Sequence, residues 1–284
     1  MIRRTIAAVM ICAGTAASAG AQWVHHPAPG IPRTKDGKPN LTAATPKGAD
    51  GKPDLSGIWS TDPTPFEEME RLFPFFKAFA VPGDDPRMFT KYFMDVFADV
   101  RPEDVPMRPE AAQLFKQRMA AVDSAREAPT ARCFPAGIPM GDLLPLPRRT
   151  IHTPGLLAIL YEGINPHRMI YLDGRSLPAD PQPAWMGYSV GKWDGDTLVV
   201  ESNGYSDRSW LDGMGHPRSE ATRITERLRR RDFGHMEVDV TIDDPKSYTK
   251  PFSIRYTQTL VPDTDILEYI CTENEKDRAH LPAK

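Results

Sequence analysis

From Pro154 onward the chain alternates apolar and polar residues with a period of two, the signature of half-buried strands. Leu156 to Tyr161 and Met169 to Leu172 are short apolar runs, the second ending at the turn signal Asp173-Gly174. Tyr188 to Ser202 folds back around Trp193-Asp194-Gly195-Asp196, a hairpin signal of the type I′ kind. In a strand over 222–231, Thr222, Ile224, Glu226 and Leu228 share one face, which puts the Glu226 carboxylate among apolar neighbours. Met236, Val238, Val240 and Ile242 share the next face, and Phe252, Ile254, Tyr256, Gln258 and Leu260 the one after. Pro262 to Asp265 turns the chain, and Ile266 to Thr272 returns. The pattern predicts a mainly β protein, an antiparallel meander of about eight strands closed as a barrel, because closure removes exposed edges.

Before the meander the period changes. Residues 66–126 read as helical: Pro109 suits a first helical position, and Ala112, Phe115, Met119 and Val122 form a stripe at spacings of three and four. Phe73, Phe75, Phe76, Phe79, Met88, Phe89, Tyr92, Phe93, Met94 and Phe97 precede that stripe, an adaptable set that fits a ligand cavity or simply the core. Many of the 29 prolines fall before Asp62 or between Phe134 and Pro154, stretches expected to be extended or looped. Residues 22–55 read as an exposed Pro/Gly-rich arm. Within it Asp36-Gly37-Lys38-Pro39-Asn40-Leu41 is nearly repeated as Asp50-Gly51-Lys52-Pro53-Asp54-Leu55, a pair of duplicated turns. The expected organisation is a leader at 1–21, the arm at 22–55, and a single barrel domain at 56–284 that includes a helical insertion at 66–130.

The leader follows from the order Arg3-Arg4, an apolar run from Ile6 to Ala13, and small residues offering cleavage near Ala19 or Ala21. That run is too short to cross a bilayer, which takes about 20 residues. The expectation is a bacterial periplasmic or secreted protein that does not span a membrane. Cleavage takes the basic residues from 35 to 33 against 38 acidic ones, moving the net charge from -3 to -5 and arguing against a nucleic-acid partner. The cluster Arg227, Arg229, Arg230 and Arg231 is read as a solvated face. Cleavage also removes Cys12 and leaves Cys133 and Cys271, a disulfide pair in an oxidising compartment, with two buried thiols as the alternative.

Several segments resemble a large family of uncharacterised exported bacterial proteins: Gly51-Lys52-Pro53-Asp54-Leu55-Ser56-Gly57-Ile58-Trp59, then Gly187 to Val200, then Thr225 to Arg230, with Asp243-Asp244-Pro245 and Glu268-Tyr269-Ile270-Cys271. The resemblance covers most of the chain after the leader and brings no mechanism with it. Gly57-Ile58-Trp59 is also similar to the first strand of lipocalin-like barrels, which implies a small-molecule barrel by analogy.

The richest polar stretch lies between two strands: Asn203, Asp207, Trp210, Asp212, His216 and Ser219. A long loop at a barrel mouth is where binding or catalytic groups are presented. Glu226 beneath it, desolvated, would join His216 and Asp212 as acid/base groups of a hydrolase, lyase or isomerase; otherwise it pairs with an arginine such as Arg175. Trp193, Trp210, Tyr256 and Asn203 are the candidate ligand-binding residues. Nucleophile elbow, P-loop, dinucleotide and His-Glu-x-x-His patterns are missing, and no metal or cofactor is expected. The leading expectation is a barrel that binds a small apolar or aromatic molecule. The alternatives are the acid/base enzyme and an envelope protein that binds a partner through its arm.

Overall fold

A computed structural model describes residues 27–74, 89–120, 128–163 and 166–271. The leader lies outside them, as do Phe75, Phe76, Phe79, Met88 and Val122 of the predicted helical stretch. Nine strands close into one barrel: β1 Gly57–Thr61, β2 Arg148–Thr153, β3 Leu156–Tyr161, β4 His167–Tyr171, β5 Tyr188–Asp194, β6 Thr197–Asn203, β7 Arg223–Arg230, β8 His235–Asp243 and β9 Phe252–Leu260. Each strand pairs with its sequence neighbour, and β9 closes on β1 with Trp59 opposite Leu260.

The predicted inward faces are the observed ones. Ile224, Glu226 and Leu228 of β7, Met236 to Ile242 at every second position of β8, and Ile254, Tyr256, Gln258 and Leu260 of β9 are buried. Four details of the sequence reading change. The segment read as a loop through its prolines contains β2, whose six residues pair fully with β3. The predicted return strand from Ile266 is not formed over residues 266–271, and Thr272 lies outside the described residues. β4 and β5 run parallel, because residues 172–187 cross back to the end from which β4 started. The β5–β6 turn has positive φ at Gly195 alone, so it is the type II′ hairpin that needs glycine only at its first central position.

Both barrel ends are covered. At the end carrying the β2–β3, β5–β6 and β7–β8 hairpins, the arm is extended, as expected, and docked rather than free. The amides of Phe233 and Gly234 donate to the carbonyls of Ala43 and Leu41 at 2.8 and 2.7 Å, Lys47 pairs with Asp196 at 2.8 Å, and Arg33 with Asp263 at 2.5 Å. The two near-repeats form the same turn: Gly37 N donates to Thr34 O at 2.9 Å and Gly51 N to Gly48 O at 3.0 Å, each glycine in the left-handed region. Arg230 leaves the predicted solvated face. It is in register with the inward residues of β7, and its guanidinium donates to the carbonyls of Asp54, Ser56, Asp232 and Phe233 over the ring of the fully buried Trp59.

The opposite end carries a cap from the β1–β2 connection: α1 Phe66–Leu72, α2 Lys91–Met94, α3 Pro109–Ala120 and α4 Met140–Leu143. α3 starts at Pro109 as predicted, but it is rotated. Ala111 is buried with Phe115 and Arg118 half-buried, while Met119 is 42% exposed. Arg118 takes the inward position because its guanidinium lies over the Trp210 ring, 5.0 Å from its centroid, and donates to Gly215 O at 2.8 Å. Among the described aromatic residues, Phe97 joins the barrel core and Phe73 packs with Met69 in a satellite cluster.

Cys133 and Cys271 are bonded, with Cα atoms 5.6 Å apart, tying the cap to the chain beyond β9. Closing a loop of sequence separation 138 constrains the unfolded chain. Cys133→Ser should therefore lower unfolding free energy by about 2 to 5 kcal/mol without changing the barrel, checked by denaturant titration and far-UV dichroism.

Candidate functional site

The barrel lumen is where sequence and charge conflict most, because four ionic side chains are buried there. Arg168 reaches it because it shares the inward face of β4 with Ile170, and Arg148 because it shares the inward face of β2 with Thr150. β7 supplies Glu226, and α4 of the cap inserts Asp142 from above. Both Arg168 Nη groups donate to the two oxygens of Glu226, the Nη1 contact at 3.1 Å. Its Nε and Nη2 donate to Ser189 and Ser202 at 3.2 and 3.0 Å, and Nη1 lies 3.5 Å from Asp142 Oδ2. Tyr161 donates its hydroxyl to Asp142 Oδ1 at 2.8 Å, and Arg148 Nε stands 3.7 Å from that oxygen. Burial works against the Arg168 charge, yet Glu226 overrides it and holds the guanidinium firmly protonated.

A cavity opens beside this cluster, bounded by Asp142, Arg148, Thr150, Glu226, Tyr256 and Gln258 with aliphatic side chains between them. Its free space of ≈ 20 Å³ admits one or two water-sized groups. Arg148 Nη1 is buried without a hydrogen-bond partner among the described residues, as are His152 Nε2, Asn203 Oδ1, Tyr205 Oη and Arg218 Nε away from this cavity.

The predicted polar loop between β6 and β7 forms a second buried cluster at the capped end. Asp212 is fully buried; its Oδ1 accepts the amides of Gly215 and His216 at 3.0 and 3.1 Å, and its Oδ2 accepts the Val96 amide at 2.8 Å. The same Oδ2 holds His216 Nδ1 at 2.6 Å, and Asp95 Oδ1 lies 3.7 Å from Nδ1. Phe115 stacks on the imidazole at 4.1 Å and Phe97 meets it edge-on at 5.0 Å. Nε2 has no hydrogen-bond partner among the described residues. Burial pulls the His216 pKa down, but the charge and hydrogen bond of Asp212, with Asp95 behind them, raise it overall. Burial and the neighbouring Asp212 raise that of Asp95. Asp95, Asp212 and His216 each bring a metal-type ligand atom within 4.8 Å of the others. With both Asp212 oxygens already engaged by N–H groups, the chemistry of this donor set fits an oriented imidazole better than a metal ion.

The sequence expectations divide here. His216 and Asp212 come together, whereas Glu226 bonds Arg168 and shares no hydrogen bond with either. Its strand face turns it into the lumen, away from the loop. Its partner is not Arg175, which pairs with Asp173 on the surface at 2.6 Å. The four predicted ligand residues do not meet in one pocket. Tyr256 lines the cavity; Trp193 is half-buried beside His152 near the β5–β6 hairpin; Trp210 packs on Arg118; Asn203 donates to Pro178 O at 2.8 Å. Asp207 is exposed. Ser219 is held by Asp244, which accepts its amide at 2.7 Å and its hydroxyl at 2.6 Å, so Asp243-Asp244-Pro245 serves to join two loops.

Asp142, Arg148, Arg168 and Asp95 were not singled out from sequence. The rule that located Glu226, a polar residue in register with an apolar strand face, also locates Arg168 and Arg148. Nothing in the proline-rich run marks Asp142. No protein-family model matches the chain, and neither a curated protein nor a solved structure matches it. Function must be read from these residues.

Glu226→Ala leaves a buried guanidinium without its main counter-ion and should cost about 3 to 5 kcal/mol, most of it recovered in Arg168→Met/Glu226→Leu; a double-mutant cycle in urea checks this. Because the folded-state pKa of His216 is raised, its stabilisation is complete below about pH 6.5 and is lost as pH rises through the folded value. Asp212→Asn should bring that pKa down, read by following the His216 ring proton resonances against pH.

Proposed function

We propose that the protein is an exported, periplasmic barrel that binds a small polar molecule in its lumen. The observation that carries this reading is a lumen cavity lined by Arg148, Thr150, Tyr256 and Gln258, where Arg148 Nη1 is buried with no partner among the described residues. Buried polar groups are mostly paired in folded proteins, and an unpartnered guanidinium nitrogen on a residue lining a polar space is a group that a ligand would complete. The apolar or aromatic ligand expected from sequence is replaced on two grounds, the charge of the lining and a free space of ≈ 20 Å³. The Cys133–Cys271 bond and the leader-like residues 1–21 support the compartment. The absence of a helix long and apolar enough to cross a membrane, among the described residues, accords with release after export. The arm is docked through Leu41, Ala43 and Lys47, which favours binding in the lumen over partner capture by a free arm.

A second reading rests on His216. An imidazole oriented by a saturated carboxylate, with Nε2 unpartnered, has the form of an acid/base dyad, and a hydrolytic or isomerising reaction at the capped end would use it. In that case His216→Gln removes turnover while leaving lumen binding intact.

Thermal-shift and native mass-spectrometry screening of periplasmic protein should find stabilisation by polar molecules no larger than formate or formamide. Lipocalin-type hydrophobic dyes should give none. Tyr256→Phe and Gln258→Leu should diminish the stabilisation without unfolding the barrel. Binding of the dyes in place of the polar molecules would refute the reading.

A further inference from the structure

We infer that the lumen site takes a small monovalent anion, of the size of a halide or formate, and discriminates against cations and against tetrahedral oxyanions. This deepens the reading of the lumen as the binding site and rests on it.

The donor that fixes the choice is Arg148. Its Nε faces Asp142 at 3.7 Å and its Nη2 donates to Thr61 Oγ1 at 3.0 Å, which leaves Nη1 on a side chain that is 3% exposed. A guanidinium accepts no hydrogen bond, so whatever lies opposite must be an acceptor. Thr150, Tyr256 and Gln258 line the same cavity and each has an O–H or N–H to donate. Burial also pushes the Tyr256 phenol far above its usual range, so it keeps its proton for donation.

The two carboxylates on the cavity wall are offset in charge by Arg168 and Arg148, and their oxygens are engaged. Glu226 gives both to Arg168, and Asp142 gives one to Tyr161 and the other to Arg168. Beyond the cavity, Arg230 on one side and Arg218 on the other are buried guanidinium groups with no carboxylate within 4.0 Å among the described residues. A cation would lie beside the Arg148 guanidinium, whose Nη1 has no acceptor of its own among the described residues. The aliphatic walls, Leu157, Ile159, Leu228 and Met236 among them, suit an anion that sheds its hydration readily. A free space of ≈ 20 Å³ is too small for phosphate or sulfate.

The test uses the intact protein in two measurements. Crystals equilibrated with sodium bromide should give one anomalous peak beside Arg148. In solution, bromide and chloride should raise Tm relative to gluconate and sulfate at equal ionic strength. Gln258→Leu and Tyr256→Phe, which keep the barrel filled, should each weaken halide affinity ~10-fold or more, as loss of a hydrogen bond to a charged ligand does. A neutral amide such as formamide found in the cavity, with no halide effect, overturns the anion and leaves the lumen as the binding site. Water alone, with no shift from halide, formate or formamide, overturns both. Bromide seen in crystals without a halide-specific shift in solution marks an adventitious ion only and also overturns the inference.

Discussion

Everything inside this barrel is arranged around the Arg168 guanidinium. An unpaired guanidinium in a lumen would cost several kcal/mol, so the surrounding strands and cap must bring acceptors to it. β7 contributes Glu226, β5 and β6 contribute Ser189 and Ser202, and the cap contributes Asp142, which also reaches Arg148 on β2. The cluster couples barrel to cap. Without α4 in place two arginines lose a counter-ion, and without the barrel the Asp142 carboxylate would be buried among apolar neighbours. Replacing such a network with aliphatic residues is often neutral or stabilising in other proteins, so its value here lies in fixing register and cap position and in polarising the cavity beside it.

The strands were legible because their alternation is regular and one residue of slip would exchange the buried and exposed faces. Glu226 was legible for the same reason. Arg230 was misjudged by counting charges along the chain instead of by face: four arginines near one another in sequence divide between solvent and lumen once the period of two is applied. β2 was hidden by its proline-rich approach, although its own six residues contain no proline. The parallel β4–β5 pair depends on a crossover whose direction is set by packing, and no local pattern encodes that.

The site was legible in halves. The His216–Asp212 contact spans four residues within one loop, so local sequence brings it together. Its supports do not come from that loop: the Val96 amide and the Phe97 and Phe115 rings arrive from the cap, more than a hundred residues earlier in the chain for Val96. Asp142 is the same problem in stronger form, a single carboxylate in an irregular segment whose role appears only when two distant strands each present an arginine.

The motifs that mark this chain most plainly turn out to carry structure. Trp59 donates its indole N–H to Leu55 O at 3.0 Å and lies beneath Arg230, Gly195 makes the tight hairpin, and Asp244 accepts from the amide and hydroxyl of Ser219, the hydroxyl of Thr222 and the amide of Ser247. Each fixes an end of the barrel, and between those ends lies a space whose polar walls are incomplete. Arg148 Nη1, on a residue that lines the lumen cavity, is one of five buried side-chain atoms without a partner among the described residues; the others, on His152, Asn203, Tyr205 and Arg218, lie outside that lining. On the surface such a nitrogen would be satisfied by water at no cost; in the lumen, burial makes its missing acceptor expensive.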